Sequence, residues 1–106
     1  MISKKNKKRI SELMKAIVLV DSPNEAARFF RDLLTEKELI EFGNRWKAAR
    51  MLSKNVSYVE IEEETGLSST TVARVSKWLN GKEGGYKKII QKLHHRNSIQ
   101  TGRGLS

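Results

Sequence analysis

The chain has 106 residues, no cysteine and a formal net charge of +9, from 21 Lys and Arg residues against 12 Asp and Glu residues. The lack of cysteine excludes disulfide frameworks, Cys-ligated zinc sites and thiol nucleophiles, and the short length excludes a large lidded catalytic cleft inside one protomer. The excess of positive charge favours a polyanion as partner, with nucleic acid first among polyanions.

No membrane-spanning segment is expected. The longest apolar run near the start covers residues 16–20, far below the roughly 18 residues that cross a bilayer. The small-residue cleavage site of a secretory signal is also missing. We therefore expect a cytoplasmic protein with no membrane partner.

Two helices are predicted in the first third of the chain. Residues 1–9 form a basic arm that leads into an apolar stripe over 10–18 at helical spacing. Ser22 and Pro23 have the residue types of an N-cap and a first helical position, so a second helix is predicted over 23–33. The arm is either a solvated surface or a segment that lies along DNA phosphates. Its cations are Lys4, Lys5, Lys7, Lys8 and Arg9.

The longest predicted helix runs from Glu36 to about Lys54. Thr35 and Glu38 have the spacing of a capping box, and Asn55 is expected to close the helix in a left-handed conformation. One stripe of this helix is expected to pack inward: Leu39, Phe42, Gly43, Trp46, Ala49 and Leu52.

Two short helices, over 57–65 and 69–79, are predicted to form a helix-turn-helix. Ser57 and Ser68 are suitable N-caps, and Gly66 supplies the positive φ that a tight turn needs. A set of apolar residues at helical spacing is expected to fix the crossing angle: Ile61, Leu67, Val72, Val75 and Leu79.

After a glycine joint at residues 84–85, a final amphipathic helix is predicted up to Leu93. The predicted organisation is therefore an arm at 1–9, a helical domain at 10–93 and a polar, flexible tail at 94–106. His94 and His95 are adjacent and cannot chelate one metal ion as an i, i+4 pair would. We expect no metal site and no cofactor.

The outer stripe of the second short helix has small polar groups near its start and cations further along. Such a surface suits entry into a DNA major groove, where hydroxyl groups contact base edges and cations contact guanine or phosphate. The alternative is a helical hairpin whose outer face is simply solvated. Four glutamates in the first short helix favour that alternative, because carboxylates repel DNA phosphates. They either pair with cations of neighbouring helices or face away from the duplex.

Several segments resemble the Trp repressor family. They are Leu-Leu-Thr-Glu-Lys-Glu at 33–38, Gly-Asn-Arg at 43–45, the stretch 57–66, and Thr-Val-Ala-Arg at 71–74. Residues 44–47 and 69–75 are most similar to the YerC/YecD branch, and the resemblance covers roughly residues 25–93. It implies an all-α, six-helix subunit in an intertwined homodimer, with one helix-turn-helix per subunit offered to successive major grooves of an operator.

The resemblance also implies positions for a tryptophan site. Arg45 and Arg74 match the two arginines that enclose the indole in the Trp repressor, and Thr35 and Thr71 match other residues around that pocket. Val75, however, stands where the repressor has a glycine beside the ligand, and overpacking of this kind costs about 1–3 kcal/mol. We therefore predict that L-tryptophan is not the corepressor, and that the two arginines contact phosphates or pair with the acidic helix.

The sequence thus predicts a sequence-specific DNA-binding transcriptional regulator, a repressor that binds a palindromic double-stranded operator as a homodimer. The alternative is a helical interaction module that binds an acidic protein partner. An enzyme is not expected, because no phosphate loop, carboxylate pair or nucleophile constellation is present. The candidate base contacts are Ser69, Thr70, Thr71 and Ala73, and the candidate phosphate contacts are Arg74, Lys77, Arg45, Lys54 and the Tyr58 phenol.

Overall fold

The structure, a computed structural model, describes the backbone of residues 1–105 and the side chains of residues 1–97. Six helices and no strand occur within this part of the chain, which confirms the all-α, six-helix prediction. The helices are α1 (Lys4–Ile17), α2 (Pro23–Leu33), α3 (Glu36–Ser53), α4 (Tyr58–Thr65), α5 (Ser69–Leu79) and α6 (Gly85–Leu105).

The helices begin where local capping chemistry predicts. The Ser22 hydroxyl accepts the Glu25 backbone N–H at 3.1 Å at the start of α2. At the start of α3, the Thr35 hydroxyl accepts the Glu38 N–H at 3.1 Å while the Glu38 carboxylate accepts the Thr35 N–H at 3.0 Å. Each bond satisfies a backbone donor that the helix itself leaves unpaired.

The chain forms two compact units, Met1–Leu39 and Ile40–Ser106. In the first unit, no residue is buried. The rings of Phe29 and Phe30 meet edge to face, with centroids 5.5 Å apart, and Leu33 is 43% exposed. The apolar face of α2 is therefore only partly covered by protein, since Phe29 and Phe30 are half-buried.

The second unit has its core around α5, which packs against both α4 and α6. Four of the five residues predicted to fix the helix-turn-helix are buried, and Leu67 is partly buried against them. Ala48 of α3 was not among the predicted core residues, and Phe42, which was, is 46% exposed. Among the described side chains, the buried apolar residues are Ala48, Ala49, Ile61, Val72, Val75, Leu79 and Ile90.

The first and last helices are longer than predicted. The basic arm is the start of α1, because Ser3 caps the helix by accepting the Asn6 N–H at 3.1 Å. The segment predicted as a tail continues α6 to Leu105, which is possible because no proline interrupts it. Ser106 lies outside the described residues. None of the helices in the described chain is long and apolar enough to cross a membrane.

Candidate nucleic-acid interface

The turn between α4 and α5 is held by one glycine and one buried threonine. Gly66 has φ 73° and donates its N–H to the Glu62 carbonyl at 2.8 Å. The Thr65 hydroxyl donates to the Ile61 carbonyl at 2.7 Å and accepts the Leu67 N–H at 3.2 Å. These bonds join the end of α4 to the first residue after the turn, so they limit the angles at which α5 can leave it.

The buried stripe of α5 determines which side chains face solvent. Val72, Val75 and Leu79 are inside the core, and Thr71 is half-buried at the edge of the outer surface. The other candidate residues of this helix form an exposed surface that we call the α5 face: Ser69, Thr70, Ala73, Arg74 and Lys77.

The start of α5 combines a cap with unpaired backbone donors. The Ser68 hydroxyl accepts the Thr71 N–H at 3.2 Å, and the Ser68 and Thr71 hydroxyl oxygens are hydrogen-bonded at 3.0 Å. The first N–H groups of a helix have no partner within the helix, and the helix dipole makes this end attractive to anions. The small side chains of Ser69 and Thr70 leave this end accessible to a large anion.

Two candidate phosphate contacts lie at the junction between α3 and α4. Lys54 directly follows α3 and is exposed, and Asn55 has φ 61°, as predicted. Tyr58 is the first residue of α4 and is 43% exposed. Both polar ends are therefore open to a ligand from solvent.

Arg45 forms an ion pair, but not with the acidic helix. Its guanidinium lies 3.3 Å from the Glu41 carboxylate one turn earlier on α3 and 5.6 Å from the centroid of the Phe42 ring. Of the two roles predicted for Arg45, pairing with α4 is therefore wrong. The i, i+4 spacing of Glu41 and Arg45 was the signal in the sequence, because such pairs meet on one helix face.

The glutamates of α4 carry negative charge that no described side chain neutralises. No ion pair to Glu60, Glu62, Glu63 or Glu64 occurs among the described side chains. Glu62 is half-buried, and the other three are exposed. The helix that precedes the α5 face therefore keeps its negative charge toward solvent.

A second exposed feature of this unit is an apolar cavity that we call the aromatic groove. It has a volume of about 520 Å³ and is lined by Trp46, Trp78, Glu83, Gly85, Tyr86 and Ile89. The rings of Trp46 and Tyr86 are stacked, with centroids 6.4 Å apart and planes 27° apart. Trp78 is 54% exposed.

Comparisons with known proteins give one consistent result. A family model described as Trp repressor protein matches residues 8–94. The chain is 34% identical over 92 residues to the uncharacterized protein YerC of Bacillus subtilis, covering 87% of this chain and 88% of that protein.

Two solved structures are similar to this one over most of the chain. A TrpR-like protein from Eubacterium eligens has a TM-score of 0.76 and 33% identity, covering 82% of this chain and 90% of that one. A candidate Trp repressor from Staphylococcus aureus has a TM-score of 0.76 and 30% identity, covering 82% of this chain and 87% of that one.

Proposed function

We propose that this member of the Trp repressor family represses transcription by binding a palindromic operator as a homodimer. Membership of that family makes the chain a DNA-binding regulator with a helix-turn-helix. The observation that carries the proposal is the α5 face. It is exposed along its length while the opposite side of α5 is buried, so the helix is held rigidly with small polar groups and cations outward. The repressor would act in the cytoplasm and needs no enzymatic activity or cofactor.

In the proposed complex, the first turns of α5 enter the major groove. Ser69, Thr70 and Thr71 offer hydroxyl groups to base edges, and the Ala73 methyl group suits contact with a thymine methyl group. Their small size supports this role, because long side chains at the start of α5 would hold the backbone away from the bases.

Phosphate contacts are proposed on both sides of the groove. Arg74 and Lys77 extend from the α5 face, while Lys54 and the Tyr58 phenol flank the start of α4. Arg45 joins them only after exchanging its bond to Glu41 for one to phosphate. Because Arg45 is half-buried and the pair is partly exposed, that exchange costs little in a high-dielectric environment.

The homodimer is supported by apolar surface that one protomer leaves uncovered. The first unit has no buried residue, and the aromatic groove of the second unit exposes 54% of Trp78 and 50% of Ile89. Contiguous apolar surface of this kind marks interaction sites, and a chain of this size gains much of its stability from a partner. Two-fold symmetry then predicts half-sites about one helical turn, roughly 34–36 Å, apart.

We further propose that repression is independent of tryptophan. Val75 is only 3% exposed and belongs to the core cluster, so its branched side chain occupies interior volume at the position where the resemblance implies a glycine beside the ligand. Isothermal titration of the dimer with L-tryptophan is expected to show no binding at micromolar concentration. Micromolar binding would contradict this part of the proposal.

The cations at the start of α1 are proposed to strengthen binding to any DNA sequence. Replacing Lys4, Lys5, Lys7 and Lys8 by Gln keeps the helix but removes four charges. Each phosphate contact contributes about −0.9 to the slope of log K against log salt. The variant should therefore show a flatter slope and an equal loss of affinity for all sequences, whereas an unchanged slope would exclude α1 from the interface.

The proposed role of α5 is tested by two arginine variants of equal charge. Arg74→Ala removes a cation from the α5 face, and Arg96→Ala removes one from the exposed surface of α6. Fluorescence anisotropy with labelled duplex DNA should show a loss of affinity of roughly ten-fold for Arg74→Ala, the size expected for a charge-assisted hydrogen bond, and little loss for Arg96→Ala. Equal losses of affinity for the two variants would exclude α5 from the DNA interface. If the protein instead binds an acidic protein in a salt-insensitive way and does not bind DNA, the alternative function, a helical interaction module, is favoured.

A further inference from the structure

A polar cavity lies in the second unit, where α5 and α6 meet the junction between α3 and α4. It has a volume of about 500 Å³, within the range of roughly 300–1,000 Å³ that small-molecule sites occupy. We infer that this junction cavity binds a small organic anion, a carboxylate or phosphate group attached to an apolar body. Arg45 and Arg74, which the resemblance matches to the tryptophan site, do not line it, so the cavity is a different site.

The inner wall of the junction cavity is apolar. Leu79 is 5% exposed and belongs to the core cluster. The side chains of Leu52 and Val56 are half-buried and pack against that cluster, and all three residues line the cavity. Apolar surface that a ligand removes from water favours binding. A ligand with an apolar body therefore gains affinity here, whereas inorganic phosphate leaves this wall in contact with water.

The opening of the junction cavity is rich in hydrogen-bond donors. Lys87, in the first turn of α6, supplies an ammonium group, while Tyr58 and Ser76 supply hydroxyl groups. An ammonium group has three donors and no acceptor, and each hydroxyl has one proton to donate. These three side chains form no hydrogen bond or ion pair with another described residue. Their donors are therefore available to an anion.

The acceptors that border the junction cavity are occupied by donors of the chain itself. The last carbonyls of a helix ordinarily lack partners and attract cations, and both α3 and α5 end here. The Leu52 carbonyl, however, accepts the Asn55 N–H at 3.0 Å. The Ser76 carbonyl accepts both the backbone N–H of Asn80 at 3.1 Å and its side-chain amide at 3.0 Å. Since no carboxylate is among the described residues that line the cavity, its charge is that of Lys87, and an anion is favoured.

The junction cavity borders the proposed DNA interface through Tyr58. A ligand that accepts the phenol hydrogen bond competes with a DNA phosphate for that donor, and its negative charge repels the DNA backbone. The bound anion should therefore weaken DNA binding, and DNA should weaken anion binding by the same factor. This consequence rests on the proposed function, whereas the binding of the anion does not.

Phenyl phosphate is the probe, because it joins a phosphate group to an apolar ring. It is titrated into the full chain while the backbone amide signals of Asn55, Val56 and Asn80 are followed by NMR. Saturating shifts are expected with a Kd of roughly 1 mM, the affinity that a ligand of this size reaches. Benzyl alcohol lacks the anion and inorganic phosphate lacks the ring, so each should bind at least about ten-fold more weakly.

Two lysine variants of equal charge separate the junction cavity from general attraction to a basic protein. Lys87→Gln removes the ammonium group from the cavity, and Lys88→Gln removes one from the next residue of α6, which is exposed and does not line the cavity. Lys87→Gln should weaken phenyl phosphate binding about ten-fold, the loss expected for a charge-assisted hydrogen bond, and Lys88→Gln should leave it nearly unchanged. Equal losses for the two variants, or no shift of the three amide signals, would overturn the inference.

The effect on DNA is measured separately, by fluorescence anisotropy with labelled duplex DNA at constant ionic strength, since salt alone weakens DNA binding. Phenyl phosphate should release DNA from the wild type but much less from Lys87→Gln. DNA binding that is unchanged when the cavity is saturated would contradict the competition. A protein that binds phenyl phosphate in the junction cavity but binds no DNA would overturn the proposed function and support the anion site, so the two failures are distinguishable.

Discussion

Val72 and Val59 are the same residue type in neighbouring helices, but Val72 is fully buried in the core and Val59 is 64% exposed. Removing two methyl groups from a buried site forfeits their transfer free energy and leaves a cavity. Val72→Ala is therefore expected to lower the free energy of unfolding by about 2 kcal/mol, and Val59→Ala to change it by less than about 0.5 kcal/mol. Urea denaturation of both variants measures the difference, and similar values for the two would contradict the assignment of the core.

A second prediction for a single residue concerns Glu38 and the pH dependence of the protein's stability. Two hydrogen bonds from Thr35, first from its backbone N–H and then from its hydroxyl, hold the pKa of the Glu38 carboxyl below its ordinary value of 4.5. A lowered pKa in the folded state means that the bonds stabilise the protein above pH 4.5, and that this contribution is lost as the pH falls through the lowered pKa.

The corresponding variant is Thr35→Ala, which removes the hydroxyl that bonds to Glu38. Its deficit in melting temperature relative to the wild type should be constant above pH 5 and should shrink at lower pH. Thermal denaturation from pH 3 to pH 7 measures this deficit. A deficit that stays the same over the whole range would show that the ionised carboxylate is not the group being stabilised.

At the scale of elements, the α4–α5 turn depends on the backbone of Gly66. A Cβ atom at Gly66 would meet no atom within 4 Å, but the φ of 73° is unfavourable for other residues. Gly66→Ala should therefore destabilise the protein by about 1–2 kcal/mol through backbone strain alone. Gly43→Ala is the control, since Gly43 also has open space and its φ is not positive, and we expect no loss of stability. Equal melting temperatures for the two variants would contradict a strained turn.

The elements also show what can be predicted from sequence in this protein. Capping residues such as Ser22, Thr35 and Ser68 act within four positions of themselves, so the starts of α2, α3 and α5 follow from local patterns. The turn at Gly66 is predictable for the same reason, because the conformation that it needs is one that glycine adopts easily.

Other features depend on neighbours distant in the sequence. Ala48 is buried and Phe42 is exposed, and the helical period alone does not say which side of α3 the rest of the protein covers. Lys4 lies within α1, which Ser3 caps, whereas a run of cations does not by itself indicate a helix. Within the candidate site, the exposed α5 face was predictable from the helical spacing of the buried residues opposite it. The ion-pair partner of Arg45 was not, because Glu41 on the same helix and the glutamates of α4 were both possible partners.

At the scale of the whole molecule, the aromatic groove makes the dimer testable. Ile89 lies in the groove and is 50% exposed, so Ile89→Glu places a charge on the proposed contact surface. Burying an unpaired carboxylate is strongly unfavourable, and the variant should sediment as a monomer at concentrations where the wild type is a dimer. Gln91→Glu adds the same charge to an exposed position of α6 and should remain dimeric. Dimerisation of both variants would exclude the groove from the interface.

The distribution of charge separates the groups that attract DNA of any sequence from the groups that recognise a particular base sequence. Cations lie on α1, on α6 and around the α5 face, while α4 is acidic and the start of α5 carries only neutral hydroxyl and methyl groups. Nonspecific attraction to DNA is thus assigned to the cations of α1 and of the α5 face, and discrimination between sequences to the first turns of α5.

Selection of binding sites from random duplex DNA by the purified full chain tests the central claim most directly, because it examines binding, base preference and symmetry together. We expect a palindromic sequence whose half-sites are centred about one helical turn, roughly 34–36 Å, apart. We also expect this preference to be obtained without added tryptophan. A selected pool with no common sequence, or with a single unsymmetrical site, would contradict a homodimer that recognises its operator through α5.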